Sequence, residues 1–587
     1  MSERTPSNQP TRELRLWPGV MAVVLQWLGI FVVPNLVPDA ALPSVIGGFL
    51  GVLAFVVWWA FFSRAPLFER WGAILLVIVS MFATLRLLHE SVATGNMGFQ
   101  YFIYAIPVLS LAFLIWAVAG RHLADGHRRA AMVTAILLAS GVWTLVRSDG
   151  LTGDGGAEFA WRWAETSEER LLAQVGDEPV ALPSASPAVE MEPVWPGLRG
   201  PNRDGILPGV RIETNWSASP PVELWRRPIG PGVSSFAVGG DLLYTQEQRG
   251  EDEVVACYNL ATGQPVWRHS DKTRFWDSHV GAGPRATPAI REGRVYTLGA
   301  TGILNALDAR TGALVWSRNA ASDSEAKLPY FGFVSSPLVV KDIVIVHTDK
   351  LVAYDLSIGD PRWFGPATGG SYNSPHLLSL DGISQILLLG AKGAISVAPG
   401  DGTLLWEHAW PGIGIVQPAL TAGGDVLISM VSDAAVPLGT RRIAVTQKPG
   451  GWDVEERWTS IRLKPSFSDF VVHKGHAFGF DGRILAAIDI EDGERRWKGG
   501  RYGSGQLLLL PDQDLLLVLS EQGEMALVAA TPDQFQELAR LPALEGKTWN
   551  QPVLVGDVLL LRNGQEMAAF QLSLAGVVTD EAPSSIN

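Results

Sequence analysis

The feature that most constrains this chain is an eleven-residue frame that recurs through its last two-thirds. Residues 306–316 read ALDARTGALVW: a short alternating strand, a turn at Arg310-Thr311-Gly312, and a second strand ending in Trp316. Gly312 supplies the backbone freedom a tight turn needs. The same frame returns as CYNLATGQPVW (257–267), AYDLSIGDPRW (353–363), SVAPGDGTLLW (396–406) and AIDIEDGERRW (487–497), always with Gly at position seven and Trp at position eleven. Weaker copies end at Trp225, Trp458 and near Leu538, and successive tryptophans are 39 to 52 residues apart. A period of that size, with several short strands per unit, predicts a β-propeller.

A second frame counts the blades. Each unit should begin its innermost strand at SSFAV (234), ATPAI (286), SSPLV (335), NSPHL (373), VQPAL (416), SDFVV (468), SGQLL (504) or NQPVL (550), which makes eight. The last unit runs out one strand short, after EMAAFQLSL at 566–574. PVELWRRP at 221–228 precedes the first unit and is expected to supply the missing strand. Such a closure joins the two ends of the ring and removes its free sheet edges. The recurring Trp225, Trp267, Trp316, Trp363, Trp406, Trp458 and Trp497 are read as structural, packing between adjacent blades.

The rest of the 587 residues divide by composition. Five apolar segments, near 16–37, 44–62, 71–88, 101–120 and 130–146, each have about the length a membrane-crossing helix needs. The first has no small-residue cleavage site after it, so it is expected to stay as a span rather than be removed as a signal peptide. Arg4, Arg12 and Arg15 precede it; Arg64 and Arg70 lie in the second loop; Arg121, Arg128 and Arg129 lie in the fourth. The first and third loops carry no Lys or Arg. The positive-inside rule then places the N-terminus in the cytoplasm and, after five crossings, the propeller outside it. Trp58, Trp59, Trp71, Tyr101 and Trp143 sit near span ends and are read as interfacial anchors. The resulting plan is a cytoplasmic tail (1–15), a five-helix transmembrane domain (16–147), an extracytoplasmic linker (148–196), an eight-bladed propeller with four-stranded blades (197–575) and a C-terminal tail (576–587). Within the linker, 158–174 is expected to form a short helix capped by Thr166 or Ser167, followed by a flexible Pro- and Ser-rich stretch.

Charge and cysteine content exclude some functions. The net charge is −13, while residues 1–147 hold ten Lys/Arg against six Asp/Glu, so the acidity lies in the outer part. A nucleic-acid partner would require a basic footprint there. Cys257 is the only cysteine, which leaves no intrachain disulfide and no cysteine-based zinc site.

The repeat resembles that of the quinoprotein-like (PQQ-repeat) propellers, whose frame A-x-D-x-x-T-G-x-x-x-W is matched in full by 306–316. WPGLRGPNRDG, 195–205, resembles the strap leading into such propellers. The resemblance implies one of two functions. One is a PQQ-dependent membrane dehydrogenase, which oxidises an alcohol or sugar with PQQ and calcium and passes electrons to quinone; its glucose-oxidising members also have five spans before a propeller. The other is a non-catalytic scaffold of the BamB type. The blades here share about 350 residues, near the compact scaffold size, and no dehydrogenase motif carries catalytic residues over.

The residues before each inner strand form a ring at one mouth of the channel: Ser235, Thr287, Ser336, Ser374, Gln417, Asp469, Gly505 and Gln551. One of them is a carboxylate, whereas calcium needs several clustered hard oxygens. Asp469, Asp277 and Asn550 are the available set, and their spread over three blades predicts that they do not converge, leaving an open, polar mouth. The loops into the inner strands carry Trp276, Asp277, His279, Arg285, Tyr330, Phe331, Tyr372, Asn373, His376, Lys464, Phe467, Tyr502 and Trp549. Among these, Trp276, Asp277, His279, Arg285, Tyr372, His376, Lys464, Asp469, Trp549 and Asn550 are the ligand-binding candidates, against the reading that they only plug and solvate the mouth. Asp277 and His279 are also spaced as a candidate acid–base pair. The expectation is a membrane-anchored scaffold that binds a protein or small ligand on this loop face, without catalysis, cofactor or metal.

Overall fold

The computed structural model describes residues 15–33, 41–153, 155–174, 193–433 and 436–576. The N-terminal tail, the loop between the first two apolar segments, most of the Pro- and Ser-rich linker and nearly all of the C-terminal tail lie outside the described residues. The chain divides into two compact units, Met1–Ala164 with Ser278–Val280, and Glu165–Asp277 with Gly281–Asn587.

In the N-terminal unit the apolar segments are helical. The helices are Trp17–Trp27, Ala41–Val57, Leu67–Leu85, Gln100–Ala119 and Asp125–Gly141, the first two each extended by a π turn. Two stretches, Leu67–Leu85 and Gln100–His122, are long and apolar enough to cross a membrane; Trp17–Val32 and Ile46–Phe62 are apolar but shorter. The reading of five full spans is thereby reduced to two stretches of sufficient length among the described residues. The anchor reading is corrected as well. Trp58 and Trp59 are 3% and 2% exposed, Tyr101 and Trp143 are also buried, and only Trp71 is exposed. Trp59 packs edge-on against Phe113 at 4.5 Å and Trp116 at 5.9 Å, so these rings form the core of the helix bundle. Glu69 ties two loops together at one end, bound by Arg128 at 3.0 Å and Arg129 at 2.9 Å. At the other end the Ser91 hydroxyl accepts from Ser148 N, and the Tyr104 hydroxyl accepts from Ala157 N.

The linker differs from its expected form. Val146–Leu151 and Ala157–Trp161 pair as a β-hairpin, and the helix is confined to Ser167–Ala173. Thr166 caps that helix in a capping box with Glu169. Glu168 fixes it to the first blade and the loop after it, accepting from Gly250 N and Arg274, both at 2.8 Å.

Eight antiparallel sheets follow as propeller blades. Seven are continuous in sequence, at 237–271, 289–319, 338–367, 376–409, 419–460, 471–501 and 506–542. The eighth takes three strands from 553–571 and its outermost strand, Val222–Pro228, from before the first blade. Arg226 clasps that seam through Glu566 at 2.8 Å.

The recurring positions three, seven and eleven of the repeat frame each have a physical role. At position three, Asp308 Oδ1 accepts from Arg310 N, Thr311 N and the Thr311 hydroxyl, folding the turn around itself; Asp355 and Asn259 do the same in their blades. At position seven the glycines adopt positive φ (72° at Gly312, 77° at Gly359). At position eleven the indole N–H reaches across to the next blade and donates to the carbonyl at position four of its turn. Trp225 donates to Leu260, Trp267 to Ala309, Trp316 to Leu356, Trp363 to Pro399 and Trp458 to Ile490, at 2.9 to 3.1 Å. Trp406 departs from the pattern and donates within its own blade to Gln385. A β-bulge places one extra residue just before the tryptophan position, as between Ala306↔Trp316 and Leu307↔Leu314, and it recurs in all eight blades. A bulge raises local twist and re-aims a side chain, here turning the outer strand so that its ring lies toward the neighbouring blade.

Candidate functional site

The segment that shapes the channel is the strap at 193–207. Pro193–Trp195 adds a fifth, innermost strand to the first blade, pairing with Ala237–Gly239. Pro196 O then accepts from Ile290 N of the second blade at 2.8 Å. At the far end Leu509 of the seventh blade exchanges bonds with Gly205 O and Leu207 N. Between these contacts the strap turns twice through left-handed backbone at Arg199 (φ 57°) and Arg203 (φ 59°), a conformation uncommon outside glycine. The two arginines reach to different blades. Arg203 donates to Ser336 O and Pro337 O of the third blade at 3.0 and 2.8 Å, and Arg199 to Phe470 O of the sixth at 2.9 Å. Trp195, Arg199 and Arg203 are buried. The channel mouth expected to be open is therefore crossed and partly filled by this segment.

The ring residues face one another. Ser235 N donates to Thr287 Oγ1, Thr287 N to Ser336 Oγ, Ser336 N to Ser374 Oγ, and Gln417 N to Asp469 Oδ1, at 2.6 to 3.1 Å. Asp469 Oδ2 accepts from Gln551 Nε2 at 2.7 Å, and the Ser235 hydroxyl donates to Gln551 O at 2.6 Å. At five of the eight ring positions, Ser235, Thr287, Ser336, Ser374 and Asp469, a short hydroxyl or carboxylate thus caps the neighbouring blade's backbone. Buried N–H groups need such partners, so the ring is a girdle holding blades together rather than a set of free ligating groups.

The loop candidates separate into three groups. In the first, Trp276 and Asp277 pair with Ala282 and Gly281 as a small hairpin, and Arg285 closes it, meeting Asp277 at 2.6 Å and Gly281 O at 2.7 Å. Burial pushes the Arg285 pKa down, and Asp277 opposes that shift. Asp277 thus spends its charge on Arg285, while His279 groups with the N-terminal unit. In the second, His376, on the inner strand of the fourth blade, is buried beside the strap. Desolvation, followed by the charges of Arg203 and Arg199, lowers its pKa to about 3, so it is neutral at physiological pH. Asp469 meets Arg199 at 3.4 Å. Asn550 braces the closing blades, donating to Gly232 O and Ser234 O. In the third, the rings are accessible. Phe467 stacks with Trp549 at 6.4 Å, and Lys547 lies 4.6 Å over the indole. Tyr372 meets Phe331 edge-on at 5.1 Å, and Phe331 meets Tyr330 at 4.9 Å. Phe467 and Tyr330 are 51% and 47% exposed. Lys464 is drawn to the buried Asp481 at 3.4 Å, which Lys498 also holds at 2.7 Å. Tyr502 belongs to none of these groups: its ring is buried, with its hydroxyl on Glu537.

Asp277, Asp469 and Asn550 therefore each have separate partners, and among the described residues there is no group of three His, Cys, Asp or Glu side chains placed to hold a metal. Sequence reasoning missed the strap's role in the channel; its buried charges, Arg199 and Arg203 within WPGLRGPNRDG, were the available signal.

The family model described as outer membrane protein assembly factor BamB matches residues 214–379. The first blades of the propeller are thus similar to the PQQ-repeat family that this model describes. BamB of Yersinia pestis is 23% identical over 342 residues, covering 55% of this chain and 73% of that protein. BamB of Shewanella oneidensis is 27% identical over 408 residues, covering 64% and 92%. Among solved structures, BamB from Moraxella catarrhalis aligns over 60% of this chain and 98% of its own, with 17% identity and a TM-score of 0.42. Quinohemoprotein alcohol dehydrogenase from Comamonas testosteroni aligns over 64% and 80%, with 12% identity and a TM-score of 0.46. The chain thus has sequence relatives named as outer membrane protein assembly factors.

Proposed function

We propose that this chain is a membrane-anchored scaffold whose PQQ-repeat propeller lies outside the cytoplasm and binds a protein partner on its loop face without catalysis. The observation that carries the reading is how the mouth is used. Its polar side chains are spent on one another and on the strap, while Phe467, Trp549, Tyr330 and Phe331 stand on the surrounding loops. Aromatic rings on loops held by a rigid scaffold suit recognition of a protein surface. Relatives named as outer membrane protein assembly factors favour a protein over a small substrate.

PQQ with calcium does not fit the residues present. The carboxylates near the mouth are already paired with arginine, and Trp195 with its strap crosses the channel. The direct test is to supply purified full-length protein with PQQ and calcium and follow dye reduction over a panel of alcohols and aldoses. No turnover is expected; turnover with any of them overturns the scaffold reading.

Anchoring by the N-terminal unit is supported by its threading. Glu69 with Arg128 and Arg129 joins the second and fourth loops at one end of the bundle, while Ser91 with Ser148 gathers the third loop and the exit at the other. That alternation is what a bundle crossing back and forth requires, and the arginine-rich end is the one the positive-inside rule assigns to the cytoplasm.

A further inference from the structure

One end of the N-terminal unit presents a stacked tryptophan pair. Trp161, which closes the hairpin strand Ala157–Trp161, lies against Trp163 with ring centroids 5.1 Å apart and planes 9° from parallel. The two residues are 48% and 68% exposed. Their position is nevertheless fixed. Phe159 lies edge-on to Tyr104 at 5.1 Å and to Trp143 at 5.4 Å, which seats the strand on the bundle. Ala164 N donates to Trp161 O and closes a turn. Arg162, between the two indoles, is turned onto the bundle: its backbone N–H donates to Leu145 O at 2.9 Å and its guanidinium to Thr144 O at 3.0 Å. Arg147 donates to Ala164 O at 3.3 Å from the other side of the turn. Rings held this firmly, yet left outside the core, are placed for a surface beyond the chain.

The rest of the bundle identifies that surface. Leu145 ends the last helical turn, Val142–Leu145, so the pair stands at the level where the helices stop. Leu87, just past Leu67–Leu85, and Phe99, just before Gln100–Ala119, are exposed at the same end. At the opposite end of Leu67–Leu85, Phe62, Phe68 and Trp71 are exposed as well. Between the two girdles this helix shows an exposed apolar stripe, Leu75, Val79 and Phe82, at helical spacing. Its 19 residues span about 28 Å at 1.5 Å per residue, close to the hydrocarbon thickness of a bilayer. An apolar stripe flanked at both ends by aromatic rings marks a lipid boundary, because an indole buries its ring beside acyl chains while its N–H reaches headgroup oxygens.

We propose that Trp161 and Trp163, with Phe99 and Leu87, are the interfacial anchor in the extracytoplasmic leaflet, and that their partner is the headgroup boundary of the bilayer. This rests on the membrane-anchor reading above and adds where the anchor lies. It is carried by the exit hairpin, outside the helices, whereas Trp58, Trp59, Tyr101 and Trp143 at the span ends are core. The pair sets the depth of the bundle and takes the exit segment out of the surface open to a protein partner.

The test places a nitroxide by cysteine substitution in full-length protein, in nanodiscs of phosphatidylethanolamine with phosphatidylglycerol. Collisions are measured with oxygen, which concentrates in the bilayer, and with a nickel chelate, which stays in water. Cys257 is buried and need not be removed. Trp163→Cys and Phe99→Cys report the belt, Leu75→Cys the span, and Ala261→Cys, on an exposed turn of the first blade, serves as the water reference. The label at 75 should favour oxygen strongly. At 163 and 99, nickel access should fall about threefold or more below that at 261, with oxygen access between the values at 75 and 261, as for groups at the headgroup boundary. If Trp163→Cys does not fold, Phe99→Cys still decides. A deep label at 75 with 163 and 99 matching 261 would overturn the belt and leave the anchor standing. A label at 75 matching 261 would overturn the anchor reading and the belt with it. Low access to both reagents at 163 and 99, the mark of burial against protein, would also overturn the belt.

Discussion

Trp316 of the second blade lies over Gly359 of the third: a Cβ built on Gly359 would stand 2.5 Å from the indole Cδ2, and the indole N–H donates to Leu356 O three residues earlier at 3.1 Å. Gly359 is therefore required twice, for a φ of 77° and for the ring above it. The relationship repeats at Trp267 with Gly312, Trp363 with Gly402 and Trp225 with Gly263, with Cβ distances of 2.4, 2.5 and 2.7 Å. It joins the two fixed letters of the sequence frame into one contact, made between neighbouring copies rather than within one.

This contact predicts a graded stability series. Gly359→Ala carries a left-handed backbone cost of about 1–2 kcal/mol and about 1–3 kcal/mol of overpacking against the ring. Gly382 also has a φ of 77° but open space around it, so Gly382→Ala should cost only the first part. Trp316→Ala should cost about 3–5 kcal/mol. Denaturant titration of the three variants gives the order; equal costs for the two glycine substitutions would exclude the interblade contact as the cause.

Closure is tested by deleting 221–228. Without Val222–Pro228, the strand Glu566–Gln571 loses its partner and becomes an exposed edge. Sedimentation should show aggregation, and limited proteolysis should cut first in the eighth blade.

Acid should loosen the channel. Burial lowers the pKa of His376 to about 3 and that of His347 to about 4, against 6.5 for an ordinary histidine. The unfolded chain then binds more protons than the folded one between those values and 6.5. Stability contributed by the neutral rings is full above pH 6.5 and falls as pH drops toward 4 and 3, by up to about 1.4 kcal/mol per pH unit for each ring. His376→Gln should reduce the loss measured between pH 6.5 and 5 by about 2 kcal/mol. An unchanged pH profile would show that His376 titrates normally.

Orientation can be read with a reporter active only outside the cytoplasm. Fused after Gly150 it should be active; fused within 121–129 it should be silent. The opposite pattern would reverse the charge-based assignment.

Partner binding predicts that function and stability part company at the loop face. Phe467→Ala together with Tyr330→Ala removes two half-exposed rings, so unfolding should shift little, while copurification of an envelope protein by the tagged full-length chain should fall at least tenfold. Loss of stability without loss of the partner would make the rings structural.

The sequence by itself determined the number of blades, the closing strand and the tryptophan–glycine frame. These are local patterns repeated many times, and each copy folds its own turn with its own Asp, Gly and Trp. It also located the apolar helices of the first unit. It did not determine which aromatic rings face outward: Trp58 and Trp59 sit at the ends of an apolar segment in either case, and only packing against Phe113 and Trp116 makes them core. The same limit applied at the channel. Asp277 and His279 were two residues apart in a loop, but the partner that decided the role of Asp277 was Arg285, brought back by a hairpin. Asp469 was legible as a ring carboxylate; its bonds to Gln417 N and Gln551 Nε2, and its approach to Arg199, come from distant parts of the chain. Period and composition report what a residue does along its own strand, whereas the use of a buried charge depends on whichever group the closed ring sets opposite it.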